Sequence, residues 1–141
     1  MLAAFLYAQL EAKDEIQSKR KRIWEFYAQH LAGWAEENKV QTPFIPNYCE
    51  QSYHMFYMLL PTLEDRQAFI NHLKSKSILS VFHYLPLHLS DMGKQFGGRK
   101  GDCPVTEEIS DRLVRLPFFN DLNEVDQLKV VDAILEFEPS M

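Results

Sequence analysis

The segment His83-Tyr84-Leu85-Pro86-Leu87-His88 brings two imidazoles and a phenol into one short run. Imidazoles change charge near neutrality, donate to oxyanions and relay protons, which suits a lip that contacts a polar ligand. Pro86 biases Leu85 away from helical backbone, so the chain is expected to leave a strand extended and to place these side chains at its end. The same residues permit a plainer reading, with His83 and Tyr84 half-buried in a strand and His88 in water.

Other chemistries are less well supported. A metal centre from His54, His72, His83, His88 and Cys103 would need ligand spacing that the proline-straddling histidine pair does not offer, so no metal is expected. The loop GGRKGD with Arg99 and Lys100 lacks the strand-loop-helix setting of a phosphate-binding loop and reads as solvated surface. Lys19, Arg20, Lys21 and Arg22 lie among acidic residues and read as a wet helical face. A lysine that forms a Schiff base must be partly desolvated to attack as a free amine. The lysines here, among them Lys74, Lys76, Lys94 and Lys100, occupy polar helix or loop contexts, so no catalytic nucleophile is expected in this chain.

The elements that must position the lip follow from periodicity. Residues 2–32 hold no Gly or Pro, and Leu6, Leu10, Ile16, Ile23, Tyr27 and Leu31 recur at helical spacing before Gly33, which predicts one long helix with Gly33 as its stop. Such a helix is ~45 Å long, more than the roughly 37 Å diameter of a compact domain of this size, so it is expected to overhang. Its first turns, with Leu2, Phe5, Leu6 and Leu10, are apolar almost all round, and no capping residue precedes them. A covering segment is therefore expected before Met1. Alone, the chain is expected to associate through those side chains.

Residues 40–45 read as a short extended stretch, and 52–60 (SYHMFYMLL) as a central strand covered on both faces. Thr62 is placed to cap a helix to about Lys76, with Asp65 in the capping-box position. Residues 78–84 form the next strand, and 87–104, with four glycines, a long mobile loop. A short helix capped by Thr106 follows, then a strand from Leu113. The last helix is capped by Asn123, with Val125, Leu128, Val131, Ile134 and Phe137 inward. The expected fold class is α+β: a long N-terminal helix and a small, mostly antiparallel sheet backed by helices.

With 141 residues, 46% of them hydrophobic, the chain can bury a core as a single domain, and a net charge of −5 excludes tracking of a nucleic-acid backbone. No run is long enough to span a membrane. The start MLAAFLYAQL lacks the basic region of a secretory signal, so a cytoplasmic location is expected. Cys49 and Cys103 lack CxxC spacing and read as reduced thiols.

The stretches AQLEAKDEIQSKRKRIWEFYAQHL, SYHMFYMLL, VFHYLPLH and SDRLVRLPFFNDL, in that order, resemble the C-terminal part of the DegT/DnrJ/EryC1/StrS sugar aminotransferases across essentially the whole chain. Ser77 stands where most of that family has glycine, a departure that fits a narrower subgroup. The resemblance implies the C-terminal small domain of a fold-type I enzyme dependent on pyridoxal phosphate, with residues 1–32 bridging to a large N-terminal domain and 40–141 forming the small domain. It implies a homodimer that moves an amino group from glutamate to a dTDP-4-keto-6-deoxy sugar for cell-surface polysaccharides such as enterobacterial common antigen or lipopolysaccharide. The cofactor-anchoring lysine would lie in the large domain, so neither bound cofactor nor activity is expected of this chain alone. His88 would approach the cofactor, and His83 and Tyr84 would line the sugar pocket. A free-standing α+β module that binds a ligand or drives oligomerisation is the alternative.

Overall fold

The computed structural model describes residues 2–140, the side chain of Leu2 excepted. Two nearly continuous helices open it, α1 (Leu2–Glu11) and α2 (Lys13–Glu37). The ladder persists across the junction, with Ala12 N on Ala8 O at 3.3 Å and Ile16 N on Ala12 O at 3.0 Å, so the expected single helix is divided at Ala12. Gly33 does not stop it. That residue lies inside α2, with nothing within 4 Å of where a Cβ would stand. Termination falls instead to Asn38, whose backbone N and Nδ2 both reach Trp34 O at 3.0 and 2.9 Å, and to Lys39, which takes the left-handed backbone (φ 56).

From Ile23 on, α2 buries Ile23, Trp24, Tyr27, Leu31, Trp34 and Ala35, a stripe at three- and four-residue spacing that makes one wall of the core. Its fixings are polar. The Tyr27 hydroxyl donates to Pro117 O at 3.0 Å, and Trp34 Nε1 to Phe137 O at 3.0 Å. Burial pushes the Tyr27 phenol well above its ordinary value. Upstream, α1 stands clear of this core and leaves Phe5, Leu6, Tyr7 and Leu10 between 56% and 69% exposed. The side chain of Leu2, expected in the same patch, lies outside the described residues.

The sheet has three strands, β1 (Tyr57–Leu59), β2 (Val81–Phe82) and β3 (Leu113–Arg115), in the order β1-β3-β2 and antiparallel throughout. The stretch 52–60, expected as the central strand, supplies an edge; β3 is central. The aromatic run reports burial correctly, since Phe56, Met58 and Leu60 are wholly buried. Its cover, however, comes from helices and from Gln41, which bridges Leu59 on the outer side. Tyr53, ahead of the strand, takes a positive φ (48°).

Helix α3 (Leu63–Ser75) begins as the capping chemistry dictates, with Thr62 Oγ1 accepting from Asp65 N at 3.0 Å and donating to Asp65 Oδ2 at 2.7 Å. The other carboxylate oxygen accepts from Ser140 N and Oγ at 2.8 and 2.9 Å, tying down the C-terminal tail. Burial alone would push the Asp65 carboxyl up, but the hydrogen bonds from Thr62 and Ser140 outweigh it and hold the group below its ordinary value.

After α3 the chain reverses through Ser77, at φ 61, which explains why glycine suits this position: a Cβ crowds the backbone in the left-handed region. Ser77→Gly should therefore stabilise the chain by about 1 kcal/mol, read as a higher urea midpoint. An unchanged or lower midpoint would show that the serine is not strained.

Helix α6 (Glu124–Leu135) is capped by Asn123 Oδ1, which accepts from Asp126 N at 2.9 Å. Its inner face differs from the expected one. Gln127, Val130, Val131, Ala133 and Ile134 are buried, whereas Val125 and Leu128 are exposed. The buried bond from Gln127 Nε2 to Ile23 O at 2.6 Å fixes the rotation, because an amide inside the core must be paired.

Candidate functional site

Residues 87–104, expected as a mobile loop, are folded around His88. A single 3₁₀ turn (Leu87–Leu89) leads into the short helix α4 (Asp91–Gln95), whose N-cap Ser90 Oγ accepts from Gly93 N at 3.0 Å. The glycines provide closeness rather than mobility. A Cβ on Gly93 would stand 2.2 Å from Leu87 O, and one on Gly98 2.3 Å from His88 O, so both backbones press directly on the turn bearing the imidazole. Helix α5 (Pro104–Arg112) starts from Cys103, with Thr106 inside its first turn and not at the cap. Pro104 at the first helical position, where a missing N–H costs nothing, sets that start.

Glu107, on the first turns of α5, fixes the ring of His88. Its Oε1 accepts from His88 Nε2 at 2.8 Å, from Gly101 N at 2.8 Å and from Cys103 N at 3.4 Å. Both side chains are largely covered, at 16% and 13% exposure. The His88 hydrogen bond, ahead of that from Gly101, holds the Glu107 carboxyl below its ordinary value. With Nε2–H directed at the carboxylate, Nδ1 of a neutral His88 carries the free lone pair and is the atom able to accept a proton.

His83 and Tyr84 follow directly on β2. In the sheet register Tyr57, Arg115 and Val81 are direct neighbours, as are Met58, Val114 and Phe82. Alternation then puts the first trio on the face opposite the buried Met58 and Val114. His83 belongs with the outer trio: burial first, then Arg115 and His54, push its imidazole pKa down. The ring of Tyr84 meets that of His83 edge-on at 4.7 Å, and the Arg115 guanidinium lies over the Tyr84 ring at 6.0 Å. His83 Nδ1 and Arg115 Nε are buried without a hydrogen-bond partner among the described residues. The backbone of Tyr84 is held by Ser110 Oγ, which donates to its carbonyl at 2.8 Å.

The structure thus pairs His83 with Tyr84 and gives His88 a separate anchor. Two residues that sequence reasoning passed over complete the arrangement. Arg115 was hidden in the strand-like LVRL, and Glu107 meets a histidine distant in the chain. The signal available for Arg115 was a lone cation at an alternating strand position.

Arg99 and Lys100 lie in solvent, and Arg99 N is bonded to Asp102 Oδ2 at 2.8 Å in a local turn. Cys49 and Cys103 are free and exposed. Among the described residues no group of three or more His, Cys, Asp or Glu could hold a metal ion. No lysine is buried, and Lys19 and Lys76 are paired with Glu15 and Glu136, so none offers a desolvated amine. No helix is long and apolar enough to cross a membrane among the described residues. A cavity of about 860 Å³, lined by Ile78, Leu79, Phe119 and Val130 among others, includes none of His83, Tyr84 or His88.

Comparison with known proteins gives the geometry a context. The model of the DegT/DnrJ/EryC1/StrS aminotransferase family matches residues 1–135. The chain is 30% identical to the pleiotropic regulatory protein of Geobacillus stearothermophilus over 97% of its length and 36% of that protein's. It is 24% identical to the dTDP-3-amino-3,6-dideoxy-alpha-D-galactopyranose transaminase of Aneurinibacillus thermoaerophilus, over 94% of its length and 34% of the relative's. Among solved structures, DesV of S. venezuelae in complex with a ketimine intermediate superposes with a TM-score of 0.84 at 26% identity, over 95% of this chain and 35% of that one. The chain spans about a third of the length of the curated relatives it matches.

Proposed function

From the premise that this chain belongs to the DegT/DnrJ/EryC1/StrS aminotransferase family, we propose that it is the small domain of a nucleotide-sugar aminotransferase dependent on pyridoxal phosphate. A large domain supplies the anchoring lysine, residues 1–32 bridge to that domain, and residues 40–141 close over the site. The enzyme moves an amino group from glutamate to a dTDP-4-keto-6-deoxy sugar, as a cytoplasmic homodimer serving cell-surface polysaccharide synthesis. The wording of VFHYLPLH and HMFYM favours the subgroup of dTDP-4-amino-4,6-dideoxygalactose transaminases.

The observation behind this reading is the division of labour among the residues present. Unpartnered nitrogens at His83 and Arg115 and the fixed imidazole of His88 suit the lining of a site for a polar, anionic ligand. Pyridoxal phosphate, when bound, supplies the electron sink that lets an amino group change carbon partners. His88 presents Nδ1 as a proton acceptor and keeps its ring still through Glu107. Tyr84, 70% exposed, offers its hydroxyl to a sugar. The side chains of α1 that stand clear of the core cover, and are covered by, the large domain.

The test compares the reading frame extended upstream of Met1 with the chain alone, assaying amino transfer from glutamate to a dTDP-linked 4-keto sugar. The extended protein should turn over and the chain alone should not. His88→Ala in the extended protein should lower kcat about 100-fold or more, the usual contribution of a placed proton-transfer group. Turnover by the 141-residue chain alone would overturn the proposal.

A further inference from the structure

We propose that Arg115, with His83 and Tyr84, forms an oxyanion receptor on the outer face of the sheet, taking a phosphate or carboxylate group. This rests on the reading above only for the identity of the ligand; the receptor itself follows from charge and geometry.

Arg115 is half-buried and makes none of the ion pairs found among the described residues. A covered cation normally has a carboxylate partner, because desolvation without compensation is costly. Here the neighbours are cationic or neutral. His83 precedes Tyr84 in the chain, and His54 lies before β1. The downward push on the His83 pKa has this origin, after burial.

Arg115 Nε, an N–H donor, and His83 Nδ1 are buried and unpartnered. Most buried polar atoms in folded proteins are paired, so two such atoms in one small cluster call for a partner, and the Arg115 N–H calls for an acceptor. The guanidinium carbon lies over the Tyr84 ring at 6.0 Å, and its position is set by the central strand, flanked by Tyr57 and Val81. A planar fork held in this way fits the paired oxygens of a phosphate or carboxylate. An anion placed there would offset the positive charge of Arg115 and oppose the downward push on His83.

The experiment follows the ring nitrogens of His83 and the Arg115 Nε signal by NMR in the ¹⁵N-labelled chain, titrated with inorganic phosphate, with dTDP and with glutamate. Phosphate should shift both sets of signals saturably and raise the His83 titration midpoint. A stronger response to dTDP assigns the receptor to the nucleotide's phosphates, and a stronger response to glutamate to the amino donor's carboxylate. Arg115→Gln should weaken binding about tenfold or more, and Arg115→Lys, which keeps charge but not the fork, should weaken it to a lesser degree. If the glutamine variant is unfolded by circular dichroism, the lysine variant decides. No saturable shift with any of the three anions, or affinity unchanged in both variants, would overturn the receptor. Failure of the aminotransfer assay with the phosphate response intact would sink the enzyme reading and leave the receptor standing.

Discussion

Phe69→Ala should destabilise the chain by about 3–5 kcal/mol. Phe69 is wholly buried, meets Phe137 edge-on at 5.2 Å and lies 6.3 Å from the ring of Trp34. Truncation therefore removes an aromatic ring from water-free surroundings and leaves a hole where α2, α3 and the C-terminal tail converge, which rigid neighbours refill only in part. Domains of this size are held by only about 5–15 kcal/mol, so the loss is a large share of the whole. Trp24 and Trp34 are both buried, which makes their fluorescence a direct reporter. The urea midpoint should fall with little change in slope. A loss below about 1 kcal/mol would mean that the site collapses freely and that this end of the core is not packed as described.

Gly98→Ala should displace His88 and cost about 1–3 kcal/mol, the usual penalty for forcing extra atoms into a filled space. The new Cβ would stand 2.3 Å from His88 O and 3.0 Å from Gly93 O. Both are backbone atoms, so relief requires the 3₁₀ turn to move. Moving it pulls the imidazole from Glu107, and the amides of Gly101 and Cys103, which share that carboxylate, should become freer to exchange. Gly97→Ala is the control. Its φ of 90 strains any L-residue, but no atom lies within 4 Å of the added carbon, so it should lower stability without altering the His88 ring signals. Unchanged ring signals in Gly98→Ala would show that the glycine contact does not position the histidine.

Local chemistry was the most legible part of the sequence. Thr62 and Asn123 cap helices as expected because a cap needs only a side-chain oxygen and the amides two or three residues on. The departure from glycine at Ser77 likewise coincides with a left-handed residue. Long-range choices were less visible. A run such as SYHMFYMLL reports burial but cannot say whether the cover is a strand, a helix or the single bridge from Gln41. Val125 and Leu128 repeat at helical spacing on a face left outside because Gln127, polar and easily discounted, bonds to Ile23 in the interior.

In the site, the segment 83–88 was readable as a polar cluster, and His83 and Tyr84 do meet. What it could not disclose was that Pro86 leads into a tight turn sending His88 to a different anchor. Nor could it show that four glycines, taken as a sign of freedom, include two required for close packing.

The shape of the sheet sets how copies of this chain can adhere. Its outer strand β2 offers two residues before the backbone departs toward Pro86, and the other margin is occupied by Gln41. An incoming chain therefore finds almost no ladder of free amides to extend, and cross-β growth has no template here. Association would instead run through exposed apolar side chains, among them Phe5, Leu6 and Leu10 of the first helix and Phe44, Leu79 and Phe96 elsewhere.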